Sequence, residues 1–398
     1  MSPTADDGRL RLLGPRPKSK KNLRFTAIAL AIVVLVLETV SYVGQGYLAS
    51  RGIIYEPPQG SRLRDILQLG SDPHLGWPNP ELFGKGDYDR SGSRVIPSFS
   101  DPDQEACVST YGDSFTWAAE VPNDAAWSNV LSTLLHCRVS NFGVGGYGTD
   151  QAYLRFTYNE RDRAKVVILG YFSENLVRNV NQFRLLLYRD IGYGLKPRFI
   201  LENGSLKLVP LPALSAEEYV AMTRHPGNVL DHEYFIPGGA SGTTQTGFPF
   251  TISLLRTFAN YRIRAQLSRE PFWAAFYSRG HPSQALEVTS SIMQSFHRDA
   301  RLLGRTPVIV LFPFILDLRN YQKNKTWVYQ PLLDDLHAHG IDALNIGEGL
   351  AEHLGGHDPC SLFTECDRGH FNREANALTA QLIARYLSSR HLLANSSF

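Results

Sequence analysis

Short apolar runs that alternate with helix-length segments predict an α/β protein built on a parallel sheet. Three observations carry this expectation. From Cys107 onward five runs of strand length follow one another: CVSTYG, CRVSNFG, KVVILGYF, PVIVLFPF and IDALNI. Between and after them, ALEVTSSIMQSFHRDARLLG and REANALTAQLIARYLSSRHLL have the apolar spacing of amphipathic helices. The composition, 43% hydrophobic and 20% charged, is that of a chain with a real core.

The amino-terminal part is of another kind. Seven Lys/Arg lie between Arg9 and Arg24, against Asp6 and Asp7 as the only acids up to that point. The net charge of the whole chain is only +2, so no nucleic-acid partner is expected and the basic character belongs to this tail. Directly after it comes FTAIALAIVVLVLETVSYV, Phe25 to Val43, extended by GQGYLAS. At about 1.5 Å per residue, roughly 20 residues of helix span a bilayer core. Glu38 opposes insertion by roughly 2.5–3.5 kcal/mol at most, being off-centre. The eleven Leu, Ile, Val and Phe side chains of the window outweigh it at roughly 0.3–0.6 kcal/mol each. A cleaved signal peptide would have a shorter apolar core ending at a small-residue site, which is not evident here. The expected organisation is a cytoplasmic tail over 1–24, a membrane anchor over 25–46 and everything after about residue 48 outside the cytoplasm.

Residues 47–104 form a turn-rich lead-in, of which DPHLGWPNPELFGKGDYDRSGSR is not expected to be regular. The α/β domain runs over 105–398 and is interrupted at about 181–284. There RFILENGSLKLVP carries the Asn-Gly signal of a hairpin, and SLLRTFANYRIRAQL reads as a helix. Four cysteines, Cys107, Cys137, Cys360 and Cys366, suit an oxidising compartment and allow three pairings. Their spacing matches no metal site, and neither metal nor organic cofactor is expected.

Four motifs stand at the ends of successive strands. Tyr111-Gly112-Asp113-Ser114-Phe115 follows the first, where a serine at a strand-to-helix turn projects at the carboxyl edge of the sheet. Asn141-Phe-Gly-Val-Gly-Gly-Tyr-Gly-Thr149 follows the second, with four glycines in six positions that free backbone N–H groups for an anion. A phosphate loop fits poorly, since its lysine and its glycine spacing are both missing. Ser173-Glu174-Asn175 follows the third, and Asp367-Arg-Gly-His370-Phe-Asn372 follows the fifth. Each taken alone has an ordinary explanation as a turn or a helix cap. Together, and in this order, they supply what acyl transfer at a serine needs: a nucleophile, a base with its orienting carboxylate, and donors for an oxyanion.

These blocks resemble the SGNH (GDSL) hydrolase superfamily over 107–180 and 300–390. The resemblance implies a three-layer α/β/α sandwich with a five-stranded parallel sheet in flavodoxin-like order. It implies Ser114 as nucleophile, His370 as general base and Asp367 as its partner. The Ser114 N–H, a loop glycine (Gly146, with Gly145 the alternative) and the Asn175 amide would form the oxyanion hole. Two blocks depart from the pattern: the family's Gly-x-Asn-Asp reads Ser173-Glu174-Asn175-Leu176, so that loop must pack differently, and Phe115 replaces a leucine. The implied strand order makes the first two strands neighbours, which pairs Cys107 with Cys137. Cys360 with Cys366 then closes a short loop before Asp367.

Membrane-anchored relatives with such insertions resemble proteins that add or remove O-acetyl groups on envelope polysaccharide, a carbohydrate substrate served in some cases by a membrane-embedded acyl donor. The expected activity is therefore ester hydrolysis or acyl transfer on short acyl esters. Two other readings are kept: a lipid esterase or thioesterase at the membrane surface, and a non-catalytic carbohydrate-binding scaffold. A wide apolar groove would favour the lipid and a polar, aromatic cleft the sugar.

Overall fold

The computed structural model describes residues 20–51, 53–69, 72–188, 193–244, 247–268 and 270–393; residues 1–19, most of the expected cytoplasmic tail, lie outside the described residues. The strands are β1 (Val108–Tyr111), β2 (Val139–Asn141), β3 (Val166–Phe172), β4 (Arg198–Glu202), β5 (Ser205–Val209), β6 (Thr306–Phe312) and β7 (Ala343–Asn345). Five of them form one parallel sheet in the order β2-β1-β3-β6-β7, and all five apolar runs named above are its strands. Every residue of β3 is buried, as expected for a central strand covered on both faces. The helices Thr149–Tyr158, Ala285–Leu302 and Gln330–Ala338 cover one face; Trp127–Leu135, Ile346–Leu354 and Arg373–Ser389 cover the other. The result is the three-layer sandwich in flavodoxin-like order. It sets the carboxyl ends of β1, β2 and β3 side by side, with Thr110 in register with both Asn141 and Ile168.

Cys107 and Cys137, one residue or two before neighbouring strands, are joined with their Cα atoms 6.0 Å apart. Cys360 and Cys366 are joined at 4.8 Å, as expected. Between β3 and β6, β4 and β5 form the antiparallel hairpin announced by Asn203-Gly204, both of which take positive φ (53° and 78°) as a tight hairpin turn demands. The single helix expected over 253–267 is two, Phe250–Ala259 and Tyr261–Leu267. Asn260 breaks it: its backbone is extended and its side chain accepts from Arg262 N, capping the second helix. The lead-in is more ordered than its composition predicts, because Gly60–Leu69 is helical and Trp77 is buried in the main core.

The helix Lys20–Ser50 is long and apolar enough to cross a membrane. Its side chains from Asn22 to Leu37 are exposed, while Ser41, Gln45, Leu48 and Ala49 turn inward along one stripe. That stripe meets the helix Phe250–Ala259. Glu38 accepts from Phe250 N at 2.6 Å and from Thr251 N at 3.2 Å. Gln45 Nε2 donates to Phe250 O at 2.8 Å, and the Ser41 and Thr251 hydroxyls are 3.1 Å apart. The first N–H groups of a helix have no partner of their own and carry partial positive charge, so the acid that sequence counted against insertion caps a second helix. Glu38→Leu makes the span more apolar but orphans two donors. Amide exchange at Phe250 and Thr251, measured on the full chain in detergent, should accelerate by an amount corresponding to roughly 1–3 kcal/mol. Unchanged exchange would show that the cap contributes nothing.

Candidate active site

Ser114 begins the short helix Ser114–Trp117 directly after β1. Gly112 is required by crowding, since a Cβ there would lie 1.9 Å from Thr116 Oγ1. Asp113 is fully buried and caps the helix, its Oδ1 accepting from Phe115 N at 2.9 Å and Thr116 N at 3.4 Å. Burial pushes the Asp113 carboxyl up, and the Arg178 guanidinium, 3.5 Å from Oδ2, pulls the other way. The Ser114 hydroxyl is thereby held at the carboxyl edge, 2.8 Å from His370 Nε2.

After this helix the chain folds back through two left-handed residues, Ala118 (φ 59°) and Glu120 (φ 68°). Non-glycine residues adopt this region at a cost and do so most often where function fixes them. Here the reversal aims Glu120 at the histidine. Glu120 Oε1 is 2.7 Å from His370 Nδ1; Oε2 accepts from His370 N at 3.0 Å and from the Thr364 hydroxyl. One carboxylate therefore fixes both the ring and the backbone of His370. The hydrogen bond from His370 is the largest cause that pulls the Glu120 carboxyl down, to about 2. An ionised carboxylate only accepts, so Nδ1 carries the proton and Nε2 is left as the acceptor for the serine hydroxyl.

This corrects the sequence-based assignment of Asp367. The carboxylate at Nδ1 is that of Glu120, whereas Asp367 is exposed in the turn just after Cys366. Spacing of three residues put Asp367 on the right loop, but backbone direction decides which carboxylate faces the ring. Nothing in FTWAAE marks its glutamate as functional; only the fold shows it. His370 is further held by Thr364 N donating to its carbonyl at 2.9 Å and by Phe115, whose ring centroid is 4.9 Å away.

Of the expected oxyanion donors, Gly146 lines the same cavity as Ser114 and His370. It has φ 77°, and a Cβ would meet the Tyr193 ring at 2.4 Å, so glycine is demanded twice over. The carbonyl of Gly145 accepts from Trp77 Nε1 at 2.9 Å, which turns the N–H of the same peptide, that of Gly146, the opposite way. Trp77 also accepts the Tyr147 hydroxyl at 2.6 Å and stacks on Tyr193 at 4.8 Å. The lead-in, read from sequence as a linker, thus supports from behind the Gly145–Gly146 peptide and Tyr193, which line the site. Asn175 sits just past β3, fully buried, with neither amide atom hydrogen-bonded among the described residues, although it does not itself line the cavity. Two residues before it, Ser173 donates to Asp317, whose carboxyl burial pushes up to about 7. If Asn175 supplies an oxyanion donor, Asn175→Ala lowers kcat on an acyl ester by roughly 10²–10³ with little change in KM. A fall of less than threefold would remove it from that role.

The cavity above these residues measures about 760 Å³, and its walls include Arg51, Ile53, Phe172, Arg178, Tyr188 and Phe314. Among the described residues no cluster of three or more His, Cys, Asp or Glu side chains is disposed to hold a metal.

An activated serine, its base and a third group that orients the base, set on the carboxyl edge of an open parallel sheet, define a serine-hydrolase type of site. No family model matches the chain, and no curated protein matches it. Solved structures do. The chain is similar to a putative lipolytic protein of the G-D-S-L family from Desulfitobacterium hafniense, with 11% identity and a TM-score of 0.34, over 70% of this chain and 97% of that one. It is similar to a lipolytic G-D-S-L protein from Veillonella parvula, with 10% identity and a TM-score of 0.33, over 70% and 96%. It is also similar to a variant of an acetyl-xylooligosaccharide esterase from Geobacillus, with 11% identity and a TM-score of 0.35, over 71% and 93%. What this site can do follows from its own geometry.

Proposed function

We propose that this chain is a serine-dependent ester hydrolase or acyl transferase of the SGNH type, anchored by its amino-terminal helix and acting outside the cytoplasm on short acyl esters of envelope polysaccharide. The observation that carries the chemistry is the chain of contacts Ser114 Oγ to His370 Nε2 at 2.8 Å and His370 Nδ1 to Glu120 at 2.7 Å. Ser114 attacks the ester carbonyl while His370 takes its proton. The tetrahedral oxyanion collects N–H donors, and His370 returns the proton to the leaving oxygen. Water or a sugar hydroxyl then takes the acyl group from Ser114. Two disulfides and a basic tail before the span support the extracytoplasmic placement.

Arg178, Glu174 and Gln266, beside the rings of Tyr188 and Tyr193 on which a sugar ring can stack, support a sugar-like substrate. The lipid reading has support too: Ile53, Phe115, Phe172, Leu187 and Phe314 line the same cavity, and Arg51 and Ile53 lie just past the end of the span. A fluorophosphonate probe on the full chain in detergent, followed by a panel of acetyl to decanoyl esters, tests both. Labelling at Ser114 with turnover falling steeply beyond acetyl or propionyl is the expected result. Equal or greater turnover with eight or more carbons replaces the polysaccharide reading with the lipid one. Absence of labelling leaves the scaffold reading. Protease added outside spheroplasts should degrade the region after residue 48, and protection of that region would overturn the topology.

A further inference from the structure

Arg184 opens the 3-10 turn Arg184–Leu186 in the segment between β3 and β4, and it lines the cavity of Ser114 and His370. Its side chain is fully buried, yet among the described residues none of its three guanidinium nitrogens has a hydrogen-bond partner. The neighbouring buried arginines are engaged. Arg178 holds Glu174 at 2.8 Å and the carbonyl of Tyr147 at 3.1 Å, and Arg262 donates to the carbonyls of Leu186 and Leu187. The carboxylates on the same wall are engaged as well, Glu174 with Arg178 and Glu120 with His370. Among the described residues Arg184 keeps the ring of Tyr188, 5.6 Å from its guanidinium carbon, and a ring face does not satisfy five N–H donors. Burial first, and the nearby Arg178 next, push the guanidinium down to about 10, so it remains a cation at neutral pH.

A buried cation without a hydrogen-bonded partner is costly to hold, and an anion with paired acceptor oxygens offsets that cost through both charge and hydrogen bonds. We propose that Arg184 is an anion subsite of the catalytic cavity, so that the ester this site takes carries a carboxylate or a phosphate group. The planar fork of a guanidinium binds either group through two parallel hydrogen bonds. The substrate class, an acidic ester, rests on the serine-hydrolase reading of the site; the anion binding itself does not. An acidic sugar and a phosphate-bearing glycan or lipid headgroup share this chemistry.

The test is calorimetric titration of the full chain in detergent with two matched pairs: methyl glucuronoside against methyl glucoside, and glycerol 3-phosphate against glycerol. At least one anion should bind on the order of ten- to a hundredfold more tightly than its neutral twin. Preference for the glucuronoside identifies an acidic sugar, and preference for glycerol 3-phosphate identifies a phosphate ester. Arg184→Gln should abolish the preference. Arg184→Lys, which keeps the charge without the fork, should reduce it, and this variant carries the test if the glutamine variant does not fold. Equal binding of each anion and its neutral twin by the unaltered chain overturns the proposal, as does a preference that survives unchanged in the variants. Fluorophosphonate labelling of Ser114 is read separately: labelling without anion preference removes only the subsite, and anion preference without labelling removes only the serine chemistry.

Discussion

Ser114→Ala and His370→Ala are each expected to lower kcat on a short acyl ester by roughly 10⁴–10⁶, with the double variant little worse than either single one. The two groups act as a unit. A serine hydroxyl is a weak nucleophile until a base takes its proton, and His370 Nε2, 2.8 Å from Ser114 Oγ, is placed to do so. Ser114→Ala should keep the wild-type melting behaviour, because its side chain faces the cavity at the edge of the sheet, whereas His370→Ala should fold but melt lower at neutral pH, because it removes the hydrogen bond that holds the Glu120 carboxylate. A folded Ser114→Ala protein that retains a tenth of the wild-type rate would show that the serine does no chemistry.

The second large effect separates two carboxylates. Glu120→Gln should lower kcat by roughly 10³–10⁴, while Asp367→Asn should stay within a factor of a few. A glutamine at 120 can offer its amide N–H to Nδ1. The ring then favours the tautomer with its proton on Nε2, and the base facing Ser114 is lost. Asp367 is exposed, and the carboxylate at Nδ1 is that of Glu120. Glu120 also makes stability depend on pH. The Glu120 carboxyl is lowered from an ordinary 4.5 to about 2, so its contribution is fully present above 4.5 and is lost as pH falls towards 2. Thermal melts between pH 5 and pH 2 should therefore be steeper for the unaltered chain than for Glu120→Gln. Added salt should shrink the difference, because this carboxylate is partly exposed. Equal activities for the two variants would return the orienting role to the loop after Cys366.

Several features of the chain were open to inspection from sequence because they are written in short-range patterns. Five apolar runs became the five strands of the sheet, and Asn203-Gly204 became a tight turn. The blocks at the strand ends placed Ser114, Gly146 and His370 around one cavity. The cysteine pairing followed once the strand order was known, since order alone makes β1 and β2 neighbours. Other features were not legible. Trp77 stands in a stretch whose composition says only turn, yet it orients the Gly145–Gly146 peptide. Asn260 breaks a helix that periodicity alone would run through.

Periodicity, turn chemistry and a long apolar run thus determined the fold class and the presence of a helix able to span a bilayer, while the motifs at the strand ends pointed to Ser114 and His370. Each is set by residues close together in the chain, whose preferences survive in almost any tertiary context. Tertiary structure alone decided the partners. Glu120 reaches His370 across 250 residues of sequence because Ala118 and Glu120 turn left-handed, and Glu38 reaches Phe250 across 212. Arg184 was left buried beside the cavity with no hydrogen-bond partner among the described residues. Contacts of that kind depend on where two distant backbones come to lie and on the φ of one or two residues. No local pattern encodes them.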